Sequence, residues 1–433
     1  MLFEIELVLQ QALSLQLTYS ALNKTRQNIF KNFQELLLFL KSTSFSRAVL
    51  VGIAVSLPII LGIQLGYFEV GLALCFGAFW SSPSDVNGSF RHKKIGILFS
   101  AALVMVVAFI GGYLHYETWL SLPILGVLGF GIAFISVYGF RASLISFSGL
   151  LALVLSFAHD SEELEIYQYA LLIGVGGLWY LLLAKIWYRI NPKAETEETL
   201  AETFIRTADF LETRGKLVGT QNDRNELQSK LYELQSELTA QHETLREMLI
   251  LSRKSSGQSH YEGKRLLVFI QLVDMLETAI ANPVNYDKMD TLLVQHPEFT
   301  NSFQNLIFEM ARQLRMIAEA GNNPRKLPKN KELAACFEQL QNEVSSFGTM
   351  NEANNYEDFL MLQNLLEYQE KQFEKLKRIK WLLGNPDIGS EEFIDRDVSK
   401  RFLARQDYDP KLLLRNLSFH STIFSHSLRL DVT

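Results

Sequence analysis

Between Ala48 and Ala184 the chain carries almost no charge, and its few ionisable residues there fall in short gaps between long apolar runs. A helix rises about 1.5 Å per residue, so about 20 apolar residues cross a hydrocarbon layer roughly 30 Å thick. Six runs meet or approach that length: Ala48–Phe68, Val70–Ser84, Ile95–Tyr116, Thr118–Phe140, Ala142–His159 and Ile166–Ala184. Lipid offers no water to backbone N–H and C=O groups, so such runs fold as helices. The second run is short, bounded by Glu69 and by Pro83-Ser84-Asp85. It reads either as a full span with Glu69 in the interface or as a broken, re-entrant helix.

From Asn191 onward the composition reverses, and Glu, Lys, Arg and Gln become dense. The mean hydropathy of the whole chain is still slightly positive, which makes the first half a membrane domain and the second a soluble extension. A length of 433 residues allows two or three domains. The net charge of −6 argues against a dedicated nucleic-acid binder, which needs a basic face. Cys75 lies in an apolar run and Cys336 in the charged half, so neither a disulfide nor a CxxC metal or redox site is expected.

Loop charges set an orientation, because Lys and Arg are retained on the cytoplasmic side. One set of connections carries Lys41 and Arg47, then Arg91, Lys93 and Lys94, then Arg141, then Lys185, Arg189 and Lys193. The alternate set carries Glu69, His115, Glu117 and the acidic group from Asp160 to Glu165, without Lys or Arg. The N-terminus and the polar half are therefore both expected in the cytoplasm. Residues 1–46 contain leucines interrupted by Gln and Lys and lack the pattern of a signal peptide; they read as an amphipathic helical segment.

The polar half reads as helical throughout residues 191–417. Leu227, Leu231, Leu234, Leu238, Leu245 and Met248 recur at spacings of four and three, with Gln241 at the missing position. That is a coiled-coil-like seam. A second seam runs from Leu266 to Ile280, the stretch NNPRKLPKN (Asn322–Asn330) breaks the pattern, and helices resume over Lys331–Val344 and Tyr356–Leu383 before a loop at Gly384–Ser390. The sequence has no GxxxxGK[ST], HExxH or GxSxG, so phosphate-loop, zinc-protease and hydrolase chemistry have no support and no cofactor is implied. His242, His260, His296, His420 and His426 are scattered and expected at the surface.

Near the end, STIFS (Ser421–Ser425) echoes STSFS (Ser42–Ser46), which leads into the first apolar run. Residues 418–433 thus read as the start of a second membrane module, a duplication common among transporters. The expected fold is all-α: a segment over 1–46, a six-helix transmembrane bundle over 47–190, a cytoplasmic helical, coiled-coil-like domain over 191–417, and this final piece.

GYFEVGLALCFGAFWSSPSDVNGSFRHKKIGIL, VYGFRASLISFSGLLALVLSF and GGLWYLLLAKIWYRINP resemble the YccS/YhfK-like branch of the fusaric acid resistance (aromatic acid exporter) superfamily. The resemblance runs from about Ser42 to the end. It implies an inner-membrane protein that exports aromatic carboxylic acids or other small organic anions; with no catalytic constellation in the sequence, an enzyme is not expected. A homo-oligomer is also compatible with the apolar helices and leucine seam. The alternative is a membrane-anchored scaffold or sensor whose helical domain binds a partner.

Ionisable groups in or beside the bilayer are costly and so are functional candidates. Glu69 is either a proton-coupling carboxylate or an interfacial residue. Asp85 caps a helix starting at Val86 or Asn87, pairs with Arg91 or Arg141, or meets the transported anion. Arg91, with Lys93 and Lys94, marks topology or attracts an anion to a cytoplasmic mouth. Arg141 either grips a carboxylate or marks the boundary, and Ser143, Ser146 and Ser148 on the same helix serve the anion or helix packing. Trp80, Tyr138 and Phe140 read as interfacial aromatics or as rings that stack on substrate. Pro58 and Pro123 are expected to kink their helices.

Overall fold

The computed structural model describes residues 39–40, 42–114, 118–156, 164–218, 223–256, 260–281, 292–293, 295–321, 323–350, 356–385, 410–418 and 420–432. Most of the 1–46 segment and of the Gly384–Ser390 loop therefore lies outside the described residues. Those described form α-helices and short 3-10 turns, with no strand among them.

The apolar half folds into six helices: α1 (Thr43–Leu65), α2 (Phe68–Ser81), α3 (Phe90–Leu114), α4 (Thr118–Phe134), α5 (Phe140–Ser156) and α6 (Ile166–Ile190). Among the described residues, α1, α3 and α6 are long and apolar enough to cross a membrane. The other three are shorter, at 14, 17 and 17 residues. Turn chemistry sets these ends. Gly66 adopts φ +77° and closes α1, so Phe68 belongs to α2 instead of ending the first run. Pro83 ends α2 in a 3-10 turn at Ser82–Ser84, and Gly139, at φ +97°, separates the α4 extension from α5.

The apolar helices cross closely because small residues face each other. A Cβ on Gly77 of α2 would lie 1.9 Å from the Ile173 carbonyl oxygen, and one on Gly176 of α6 would lie 2.2 Å from that of Leu74. Only glycine permits this backbone contact between α2 and α6. Pro58 sits inside α1 and cannot donate to the Ala54 carbonyl; the Trp179 indole of α6 supplies that bond at 3.2 Å. Two apolar clusters result, one around Trp80, Val104 and Ile173 and one around Leu50, Ile97 and Tyr180.

The polar half contributes α7 (Ala194–Leu217), α8 (Arg224–Ser256), α9 (His260–Ala281), α10 (Pro297–Ala320), α11 (Lys331–Met350) and α12 (Tyr356–Gly384). These share one buried core. Leu234, Leu238 and Leu245 of α8 are buried in it as their spacing predicts, and Met248 is buried too, whereas Leu227 and Leu231 are only half-buried. His242, expected at the surface, is 5% exposed and packs edge-on against Phe269. It stands four residues after Leu238 and three before Leu245, so it, and not Gln241, occupies the seam position; burial pushes its imidazole down to about 4. Ile280, placed in the second seam, is exposed. The NNPRKLPKN break falls between α10 and α11 as expected, with a 3-10 turn at Pro324–Lys326.

Two further helices follow, α13 (Pro410–Asn416) and α14 (Thr422–Val432). The sequence echo has a local physical basis. Ser42 Oγ accepts the Phe45 N–H at 3.1 Å, and Ser421 Oγ accepts the Phe424 N–H at 3.4 Å, so each serine caps the helix it precedes. Phe424 then meets Phe130 and Phe134 of α4 edge-on.

Candidate functional site: an ionic junction between the apolar and polar helices

The loop from Asp85 to Ser89 lies where the apolar helices meet the polar ones. Helix α3 begins at Phe90, with Ser89 before it: the Ser89 carbonyl accepts the Lys93 N–H at 3.0 Å, and its hydroxyl lies 3.5 Å from the His92 N–H. Asp85 therefore does not cap a helix beginning at Val86 or Asn87. It is an acceptor for side chains instead.

Register decides which basic residue joins it. The buried stripe of α3 runs through Lys93, Ile97, Ser100, Ala101 and Val104, at spacings of three and four. Lys93 continues that stripe one turn toward the N-terminus and is 7% exposed, while Arg91 and Lys94 lie off it and are exposed. The partner of Asp85 is accordingly Lys93 at 3.1 Å, not Arg91 or Arg141. The Tyr180 hydroxyl of α6 donates to the other Asp85 oxygen at 3.2 Å.

Lys93 also reaches across the boundary. Its ammonium lies 2.8 Å from Glu195 in the first turn of α7, where a carboxylate is favoured by the helix dipole. Arg47 of α1 pairs with the same Glu195 and with the Asn87 side chain. Two cations and two carboxylates thus alternate in a charge-balanced network. They line a cavity of about 80 Å³ whose other walls include Trp187 and Tyr188. Phe90 also lines it and stacks on Tyr188 with ring centroids 4.6 Å apart.

A second contact ties α8 to the same loop. Glu247 accepts from the Ser89 N–H at 3.2 Å and pairs with the His92 ring at 2.7 Å. Burial alone would raise this carboxyl, but the His92 ring, the Ser89 N–H and the Arg141 guanidinium outweigh it and hold the group below the ordinary range. Arg141 donates to the Asn87 carbonyl at 3.4 Å. Gly88, at φ +152°, lies between the two charges: a Cβ there would stand 2.6 Å from the Arg141 guanidinium and 3.2 Å from the Glu247 carboxylate.

Of the candidates read from sequence, Asp85 and Arg141 come together around this loop. Glu69 does not, because it stands in the first turn of α2, at the opposite end of that helix from Asp85. Arg91 is exposed and lies off the buried stripe of α3. Ser143 is exposed and donates to the Gly139 carbonyl at 3.2 Å, and Ser146 is buried within the packed face of α5. Trp80 is not an interfacial residue: it is 2% exposed and stacks on Phe76. Tyr180, Glu195 and Glu247 were not singled out from sequence; Arg47 was read there only as a loop charge, and Lys93 only together with Arg91 and Lys94 as a topology marker or an attraction for an anion. For Lys93 a signal existed, since it lies four residues before Ile97 on an apolar stripe. Among the described residues no group of three or more His, Cys, Asp or Glu side chains could hold a metal ion.

No curated protein matches the chain. The family described as FUSC-like inner membrane protein yccS matches residues 96–374, from α3 into α12.

Proposed function

The chain belongs to the FUSC-like inner membrane protein family, and on that premise we propose that it moves small organic anions, aromatic carboxylates among them, out across the membrane. In this reading helices α1–α6 are the six-span transport unit, and the polar helices stand on the cytoplasmic side. The ionic junction between them is the inner gate.

The observation that supports this reading is the composition of the junction cavity. Lys93 and Arg47 offer charge to a carboxylate, and Phe90, Trp187 and Tyr188 offer rings. At about 80 Å³ it holds two or three waters, which is the closed state of a gate. Both cations are neutralised by Asp85 and Glu195, so an entering carboxylate must exchange with one of these. That exchange trades one charge pair for another and avoids exposing a bare charge, the costly alternative in a buried site. Arg141, beside the same loop, adds a guanidinium suited to bidentate contact.

The test is accumulation of labelled aromatic acids in cells carrying the protein, its Arg141→Ala variant, or neither. The proposal expects lowest accumulation with the unaltered protein and a partial loss of that effect in the variant. Equal accumulation in all three across a broad panel of acids contradicts export and favours the scaffold reading.

A further inference from the structure

A cleft of about 600 Å³ lies in the polar half, far in sequence from the junction, between the last turns of α12 and the 327–330 part of the α10–α11 connection. Small-molecule sites range over roughly 300–1,000 Å³. Lys329, Lys377, Arg378 and Lys380 line it against the single carboxylate of Glu374, with Trp381 at its side. This cationic concentration stands out in a chain whose net charge is −6.

The cleft is built, not merely decorated. Lys380 is 7% exposed and donates to the Gln313 side-chain oxygen. Gln313 is fully buried, and its amide nitrogen is in turn held by Glu309 at 2.6 Å and by the Lys329 carbonyl at 3.4 Å. This relay fixes the amide oxygen toward Lys380 and so holds in place a side chain that lines the cleft. Gln313 is the only hydrogen-bond partner of that three-donor group among the described residues. The Arg378 guanidinium stacks over the Trp381 ring at 4.6 Å, and Trp381 is 43% exposed. A flat ring can stack on such a surface.

We propose that this cleft binds a nucleotide: the lysines take a multivalent phosphate chain and the Trp381–Arg378 pair takes the base. Several cations suit a polyphosphate better than a single carboxylate, and the ring surface selects against bare phosphate. The chain lacks a phosphate-loop motif, so the cleft's own cations and rings are the groups that hold the nucleotide.

The test is calorimetric titration of the full chain in detergent with ATP, pyrophosphate and phosphate, and separately with vesicles with and without anionic lipid. Expected are saturable ATP binding at one per chain and pyrophosphate binding at least tenfold weaker. The double variant Lys377→Glu/Arg378→Glu, both at exposed or half-exposed positions, should weaken ATP at least tenfold. Trp381→Ala should reduce ATP to the level of pyrophosphate. Circular dichroism and melting of each variant establish that it is folded. No saturable ATP binding at millimolar concentration, equal affinity for ATP and pyrophosphate, unchanged affinity in either variant, or binding only to anionic vesicles would overturn the proposal.

Discussion

The ammonium of Lys93 lies 2.8 Å from the carboxylate of Glu195, and that contact joins an apolar helix to the first turn of the polar region. Because Asp85 sits 3.1 Å away on the other side, Lys93 is the centre of a buried triad. Removing Lys93 leaves the Asp85 carboxylate desolvated with only the Tyr180 hydroxyl, while Glu195 keeps Arg47, and a buried charge that loses its cation is far more costly than a lost surface pair.

Lys93→Met should therefore destabilise the protein by about 3–5 kcal/mol, read from melting or denaturant titration in detergent. The neighbouring Arg91→Ala should stay within about 0.5 kcal/mol. Equal effects of the two would contradict the burial argument.

Gly176→Ala should be destabilising by about 1–3 kcal/mol, because the new methyl meets the Leu74 carbonyl and must push α2 and α6 apart. Gly52→Ala is the control: a Cβ there meets nothing within 4 Å, and helix propensity alone favours it. Similar melting temperatures for the two variants would count against backbone contact at this crossing.

Glu247 gives the junction an acid limit. Its carboxyl is lowered in the folded state, so its stabilising contribution is complete above the usual carboxylate pKa of about 4.3 and is lost as pH falls through the lower folded value. Hydrogen-exchange protection of the Ser89 amide, corrected for intrinsic rate, should fall in that window, and Glu247→Gln should remove the dependence. Protection that is the same in both proteins at every pH would refute it.

Lys380 gives the same slope for a different reason: its charged form is disfavoured in the folded state. Burial, only partly offset by Glu309 and reinforced by Arg312, lowers its ammonium to about 8. The unfolded chain keeps that proton to about 10.4, so it binds more protons between these values and stability rises with pH across the window. Relative to the unaltered protein, Lys380→Met should be most stabilising below about pH 8 and progressively less so up to about pH 10.4. A constant difference between the two proteins would show that Lys380 does not titrate abnormally.

The elements were largely legible in the sequence, because apolar runs, Pro83 and the NNPRKLPKN break each impose a local geometry. The all-helical class followed from those features, and the family from the resemblance carried by three longer stretches between Gly66 and Pro192. Span lengths were less legible: the run ending at Phe68 is divided by a glycine cap, and the run expected to reach Phe140 passes into a 3-10 turn at Ile135–Tyr138 that Gly139 ends. The site was only partly readable. Counting Arg91, Lys93 and Lys94 together as a loop-charge signal obscured that one of them lies on the buried stripe. Glu195 and Glu247 lie more than 100 residues from Lys93 and His92, and no local pattern announces a contact at that range. His242 looked like a surface residue because a polar side chain in a leucine seam was assigned one position too early.

The most direct test of the gate uses Ser89→Cys/Glu247→Cys in a background of Cys75→Ala and Cys336→Ser, reconstituted into liposomes, with flux of a labelled aromatic acid measured before and after bridging the two thiols with a short bifunctional reagent. The account predicts saturable flux above that of empty liposomes before bridging, and its abolition when the loop is tethered to α8. Flux equal to that of empty liposomes throughout, or unchanged by bridging, would contradict it.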